Sequence, residues 1–523
     1  MCELITLKKV AHQEDISSEE APSVNSRNPF QEVFFRCAPW VLFLGSLALL
    51  LRPVLLTAIA ADDLINPFSQ IYHAGNDLPA IFDRTWKSVS STGHFNYLGQ
   101  SIGSLIVAVW SYLIGGLGIR YSLVYAMTKF LVFLVCIEVT SRTIRQTLLF
   151  CGQIKSLWSI RLVTLLAITL PIQIHIPWSN DPVASYPLSG YLTATIGLAF
   201  ILQVFKLLND HRYGLASVAG LTGVSAVLYY EFNAFAVLSV APLLGFSVIK
   251  ALKKPLERRK RLITSFLTVF PAAATTVFFY LRNNATSVDY SGTAVSFESP
   301  FAKTFYQGVV GVLPGSSWNI AFDWLPNDLS FSFNYWRQYV LGIGLFSLIY
   351  LFKRYWIVEG VGKKAPLSRV IIAISPFFIY WMGATFTQTS TVKVQQEALR
   401  IGQVYNYYAV GAVCSAAIVA VLLMRVDFSK LKFITKSSLI ALLFTFGAFQ
   451  FVVNWNVTTQ FNGALSGNRN LLVAFADRPP MVERCQAFDA WKSMGWPEYY
   501  WLDMELGMNE SYRIYHGEEF CKR

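Results

Sequence analysis

The sequence predicts an all-α polytopic membrane protein with about eleven transmembrane helices, a long first external loop and a small extracytoplasmic C-terminal segment. Three observations predict it. Of 523 residues, 54% are hydrophobic and only 14% charged, whereas soluble domains carry about 25% charged residues. Apolar runs long enough to cross bilayer hydrocarbon recur along the chain. The basic residues gather in short segments between those runs, as they do where cytoplasmic loops retain Lys and Arg. That distribution also accounts for the net charge of +12 without invoking nucleic acid, which would need a continuous basic face.

The chain begins with a polar tail, 1–37, whose stretch "EDISSEEAPSVNS" cannot bury enough apolar surface to fold and reads as a disordered cytoplasmic segment rather than a cleavable signal. Spanning runs then follow near 38–60, 121–140, 157–175, 188–208, 213–230, 233–251, 262–281, 338–353, 368–386, 405–424 and 436–454. A further run, "SIGSLIVAVWSYLIGGLG" at 101–118, is short and contains glycines.

Charge sets the orientation. Basic clusters at Arg142/Arg145/Lys155, Lys206/Arg212, "KKPLERRKR" (253–261), Lys353/Arg354/Lys363/Lys364 and Arg425/Lys430/Lys432/Lys436 are expected in the cytoplasm. Alternation then puts 176–187, 282–337, 387–404 and 455–523 outside. If 101–118 lies in the interface instead of crossing, the N-terminal tail is inside, in keeping with Lys8, Lys9, Arg27 and Arg36 ahead of the first span. The expected division is therefore a tail at 1–37, a membrane module at 38–281 carrying the external loop 61–120, and an external aromatic loop at 282–337. Further spans at 338–454 and an extracytoplasmic segment at 455–523 complete it.

The first span stops at "TAIAADDLINPF" (57–68), so the chain leaves the membrane directly into Asp62 and Asp63. Two adjacent carboxylates repel each other, and at a partly dehydrated surface their pKa values rise, which makes a better base. An acid pair opening a long outer loop with an apolar, membrane-hugging segment, in a chain of about eleven spans, resembles the GT-C superfamily of integral-membrane glycosyltransferases. "TWKSVSSTGHFNYLG" is similar to the loop that follows the acidic motif in that family. "YSGT" (290–293), which begins at Tyr290, is similar to the large later loop of actinobacterial and O-antigen-modifying relatives.

The resemblance implies transfer from a polyprenyl-phosphate sugar to a glycan, glycolipid or glycoprotein acceptor at the outer face of the cytoplasmic membrane, with inversion. Polyprenyl phosphate is already a good leaving group, so the chemistry asks mainly for a base to take the acceptor hydroxyl's proton. Asp62 and Asp63 are the candidates, and the sequence leaves open which is the base. One of the two could instead position a donor hydroxyl or a divalent cation, Mg²⁺ or Mn²⁺; no cofactor is otherwise implied. Arabinofuranose, mannose and glucose donors fit the same layout.

Around the pair, the donor phosphate calls for a cation. Arg282 in "YLRNN", Lys393 and Arg400 in "TQTSTVKVQQEALRIGQVYNYY" and Arg337 are the candidates, since Arg grips phosphate through paired hydrogen bonds. Glu231, in the short turn "LYYEFNAF", is costly there unless it is paired or faces a cavity. Together with Trp86, His94 and Tyr290 it is a candidate for sugar or acceptor binding. The tryptophans of 455–523, Trp491, Trp496 and Trp501, suit a small aromatic core. Cys485 and Cys521 would suit a disulfide there if that segment faces an oxidising compartment; the other cysteines show no CxxC or metal spacing. A transporter or flippase of lipid-linked saccharides would be expected to show inverted repeats and charges within spans. An O-antigen-type polymerase shares the large outer loop but does not require the acid pair.

Overall fold

The computed structural model describes residues 29–75, 77–175, 181–284, 291–318, 335–356, 365–397, 403–426 and 433–522. The chain divides into two units, 1–42 and 43–523. The described residues of the second unit are built from helices and the turns between them, with one isolated antiparallel bridge between Val295 and Thr391.

In chain order the helices are α1 (Pro29–Leu50), α2 (Arg52–Leu55), α3 (Ala61–Ala74), α4 (Leu78–Ser91), α5 (Tyr97–Ser111), α6 (Tyr121–Phe150), α7 (Leu157–Thr169), α8 (Tyr191–Asn209) and α9 (Tyr213–Tyr229). Then come α10 (Ala234–Ser239), α11 (Ala241–Lys250), α12 (Pro255–Asn284), α13 (Ser299–Gly311), α14 (Tyr335–Trp356), α15 (Leu367–Thr389) and α16 (Val392–Glu397). The chain closes with α17 (Tyr407–Leu423), α18 (Phe433–Ala464), α19 (Ser466–Asp477), α20 (Met481–Lys492) and α21 (Glu498–His516). Among the described residues seven helical stretches are long and apolar enough to cross a membrane, and five shorter apolar helices accompany them. The chain is a multi-pass membrane protein.

Pro271 inside α12 and Pro376 inside α15 would break a helix exposed to water, but neighbouring helices satisfy the freed carbonyls in a bundle of this kind. Short turns of a few residues, 151–156 and 210–212, make α6 and α7, and α8 and α9, antiparallel neighbours, and α6 packs along α8. One set of helix ends therefore carries the first turns of α6 and α8 and the last turns of α7 and α9. The other set collects the basic residues, with Arg261 donating to Ser247 O at 2.7 Å and Arg425 to Ala365 O at 3.0 Å.

The stretch Tyr97–Gly116 is among the seven by length and composition, and both of its ends touch helix ends of the first set. At its start, a Cβ on Gly99 would lie 2.0 Å from Tyr229 O, at the last turn of α9, and the Tyr97 ring is 5.2 Å from Phe279 near the end of α12. At its other end Trp110 packs on Tyr121 and Tyr125, in the first turns of α6, at 5.8 and 5.9 Å.

The C-terminal helices form their own core and dock on α3. Trp491 is fully buried and donates to Asn468 Oδ1 at 2.8 Å, and Asn468 donates in turn to Ile59 O at 2.9 Å. Buried Arg484 donates to Phe520 O, the Tyr512 hydroxyl and Glu518. Cys485 and Cys521 are disulfide-bonded. Gly507 lets α21 press on α3, since a Cβ there would sit 2.4 Å from the Phe68 carbonyl. That contact brings the start of α21 to the acid pair.

Candidate functional site

Asp62 and Asp63 occupy the first turn of α3, where the positive end of the helix dipole favours carboxylates. Their surroundings differ. Asp62 is exposed, whereas Asp63 is buried. Burial is the main cause that pushes the Asp63 pKa up to about 6, against hydrogen bonds from Tyr125 and Tyr186 that favour its charged form. Asp63 Oδ2 accepts from the Tyr125 hydroxyl and, at 2.7 Å, from the Tyr186 N–H. The Tyr121 hydroxyl donates to the Asp63 backbone carbonyl. Asp62 accepts from the Tyr186 hydroxyl at 3.1 Å through Oδ2 and from the Tyr500 hydroxyl at 2.5 Å through Oδ1. Each carboxylate oxygen has two lone pairs, so Asp62 can still accept from a substrate.

Tyr186 joins the two acids. It holds a left-handed backbone, φ 53°, which is costly for a bulky residue and persists only where the surroundings fix it. Asp181 does so. Fully buried, its carboxylate accepts the backbone N–H groups of His175, Val183 and Ala184 at 3.2, 3.1 and 3.1 Å and contacts His175 Nδ1 at 3.1 Å. Beneath the pair, buried Lys129 donates to Val54 O at 2.7 Å and Thr57 Oγ1 at 2.6 Å, with Nζ 4.6 Å from the centre of the Tyr125 ring. This is a charge inside a span-length helix, where the sequence suggests charge only at span ends.

Two adjoining cavities meet at the acids. The larger, about 400 Å³, is lined by Asp62, His94, Glu231, Lys393, Tyr230 and Asn406 among others. Four sequence candidates, from 62 to 393, thus converge on one space. His94 Nδ1 lies 2.8 Å from Glu231 Oε1, which also accepts from the Phe95 N–H at 3.0 Å. Burial pushes the His94 pKa down, but the Glu231 carboxylate outweighs it and the net shift is upward. Lys393 is positioned where 291–297 runs beside 390–393, with its N–H donating to Ser291 O at 3.0 Å and Val392 N–H donating to Ala294 O at 3.0 Å. The smaller cavity, about 250 Å³, is lined by Asp63, Gln70, Arg84, Asn96 and Trp110 among others. Asn96, Gln100, Tyr186, Ser189 and Tyr230 border both.

Other candidates stand apart. Trp86 lines neither cavity: it is 48% exposed and packs against Tyr97 with ring centres 4.0 Å apart and planes tilted by 31°. Arg282 is exposed at the last turn of α12 and lines neither, although Tyr280, one half-turn earlier, lines the larger cavity. Arg400 and Tyr290 lie outside the described residues, as does the side chain of Arg337 in α14. For the divalent cation, no group of three His, Cys, Asp or Glu side chains among the described residues could hold a metal ion.

Sequence reasoning missed Tyr186, Tyr500, Lys129, Asp181, Gln70, Arg84 and Asn96. Lys129 carried a usable signal, a cation within an otherwise apolar run. Arg84 and Asn96 lie in or beside the polar stretch "TWKSVSSTGHFNYLG".

No protein-family model matches the chain, and no curated protein matches it. Among solved structures, the cryo-EM structure of arabinosyltransferase EmbB from Mycobacterium smegmatis aligns with a TM-score of 0.34 and 12% identity, over 90% of this chain and 45% of that one. The chain spans less than half the length of that protein, and a likeness at this level carries no functional argument.

Proposed function

We propose that this chain is an inverting membrane glycosyltransferase of the GT-C type that moves a sugar from a polyprenyl-phosphate donor to a hydroxyl of a glycan, lipid or protein acceptor. In this reading the cavity face is the outer face. On this reading six of the seven long apolar stretches and the five shorter ones would make eleven crossings, with α5 at the surface. The observation that carries the reading is the convergence of Asp62, His94, Glu231 and Lys393 on one cavity of about 400 Å³.

The chemistry rests on the two acids' different settings. Asp62, open to the cavity, takes the acceptor hydroxyl's proton as that oxygen forms its bond to the anomeric carbon from the side opposite the phosphate. The bond from the anomeric carbon to the phosphate oxygen breaks, and polyprenyl phosphate leaves with the electron pair. Lys393 and the protonated His94, favoured by Glu231, face the charge that gathers on the leaving phosphate. Asp63 holds Tyr186 and Tyr125, and through Tyr186 it sets where Asp62 points.

Turnover of a panel of polyprenyl-phosphate sugars by the purified chain in lipid nanodiscs tests the reading. Lys393→Ala should raise the KM for donor about tenfold or more, the loss of one charge-assisted phosphate contact, and leave acceptor preference unchanged. Absence of transfer from every donor, with the protein folded, would remove the proposal.

A further inference from the structure

At the basic set of helix ends, two cations have no anion to answer them. Lys250, the last residue of α11, and Arg369, in the first turn of α15, form no ion pair or side-chain hydrogen bond among the described residues. Both are held in place. Lys250 Nζ lies 4.5 Å from the centre of the Phe246 ring, and the Arg369 guanidinium carbon lies 5.5 Å from that of Phe150. Those two rings pack edge to face with centres 6.1 Å apart, so one aromatic platform carries both charges. Arg261, in the early turns of α12, closes on the same place. It donates to the Ser247 carbonyl at 2.7 Å and hydroxyl at 3.3 Å, and both it and Arg369 are close enough to repel Lys250.

Sorting of cations to one side of a membrane asks only that they stay on that side, and like charges left to themselves spread apart. Three here stand together. Arg261 has Glu257 at 3.5 Å, but that carboxylate also takes Lys254 at 3.2 Å. Arg369 has no acid beside it in the first turn of α15, where the helix dipole disfavours a cation. The cluster carries a standing repulsion that a bound anion would relieve.

We infer that the end of α11 and the early turns of α12 and α15 bind the phosphate of an anionic phospholipid headgroup. Depth favours a lipid. Lys250 ends one stretch long and apolar enough to cross a membrane and Leu367 begins another, so the cations sit where hydrocarbon gives way to headgroups. Ile249 and Leu252, on either side of Lys250, are 63% and 53% exposed, which sets apolar surface next to the charges. Arg offers phosphate paired hydrogen bonds and Lys a point charge. A choline headgroup would bring its own cation against the three, so charge selects an anionic lipid over a zwitterionic one. This site is separate from the two acids. Thr387, which lines the larger cavity, lies about 27 Å along α15 from Arg369 by the rise of a helix. The inference does not rest on the glycosyltransferase reading.

The test is native mass spectrometry of the full chain, freed of copurifying lipid and titrated with dioleoylphosphatidylglycerol. Dioleoylphosphatidylcholine and inorganic phosphate are the other probes. The first phosphatidylglycerol should bind about tenfold more tightly than phosphatidylcholine, and inorganic phosphate at the same concentration should not displace it. Lys250→Gln and Arg369→Gln should each weaken it about tenfold, the loss of one hydrogen bond to a charged group, whereas Lys250→Arg keeps it. Arg212→Gln removes an exposed cation paired with Asp210 at 2.7 Å and should leave the affinity unchanged. If Arg369→Gln fails to fold, Lys250→Gln, at an exposed position, carries the comparison with Arg212→Gln. Equal affinity for the two lipids, or equal losses in Lys250→Gln and Arg212→Gln, would mean a general attraction to basic surface and would overturn the inference. Displacement by inorganic phosphate would make the ligand a soluble phosphate and overturn the lipid assignment.

Discussion

Adjacent in sequence, Asp62 and Asp63 become unlike groups because one faces a cavity and the other is buried. The buried one should leave a trace in stability. Its pKa is about 6 in the folded chain and about 3.9 when unfolded. A carboxyl raised on folding gives stability that is fully present below the unfolded value and lost as pH rises through the folded one. Wild-type stability should therefore fall between about pH 4 and pH 6, by up to about 3 kcal/mol on this account. Asp63→Asn, which keeps an oxygen for the Tyr125 and Tyr186 donors, should flatten that fall in urea titrations at several pH values. An unchanged pH slope would show that Asp63 is not the buried acid described here. The pair itself was legible in the sequence because two charges end an apolar run. Tyr186 and Tyr500 were not, because they reach Asp62 from 124 and 438 residues away, and no local pattern records such a meeting. Trp86 shows the opposite failure: its type and segment suited a sugar site, but it packs against Tyr97 and lines neither cavity.

Among the elements, the docking of α21 on α3 decides whether Tyr500 reaches Asp62. Gly507→Ala would put a Cβ 2.4 Å from the Phe68 carbonyl, so the two helices must separate. Overpacking of this kind costs about 1–3 kcal/mol, and thermal unfolding of the purified variant should show it. Opening the Cys485–Cys521 disulfide with Cys485→Ala should cost about 2–5 kcal/mol in the C-terminal core. Amide exchange in 481–522 should then rise, while that of α6 through α9 stays unchanged; protection unchanged in both would refute the segment's dependence on the disulfide. The spans were legible from hydropathy because lipid asks only for length and apolarity. The placement of α5 was less so. Its composition fits either a crossing or a surface helix, and the contacts of Gly99 and Trp110 that bear on the choice are with far parts of the chain.

Over the whole molecule, basic residues gather at one set of helix ends and both cavities open among the other. Cysteines introduced at Leu78, Leu117 and Val482, in a chain whose exposed Cys37 is replaced, should label from one side of the membrane. Those at Lys155 and Lys260 should label from the other. Leu78 labelled from the side of Lys155, with Leu117 labelled from the other, would make α5 a crossing helix and undo the topology. The most direct test of the central claim is single-turnover transfer from a polyprenyl-phosphate sugar that the wild-type chain accepts, followed as a function of pH in Asp62→Asn and Asp63→Asn. The account predicts that Asp62→Asn lowers the rate about 10²–10⁴-fold with donor binding intact. Asp63→Asn should lose less and shed a rate change near pH 6. Transfer at the wild-type rate by Asp62→Asn would contradict it.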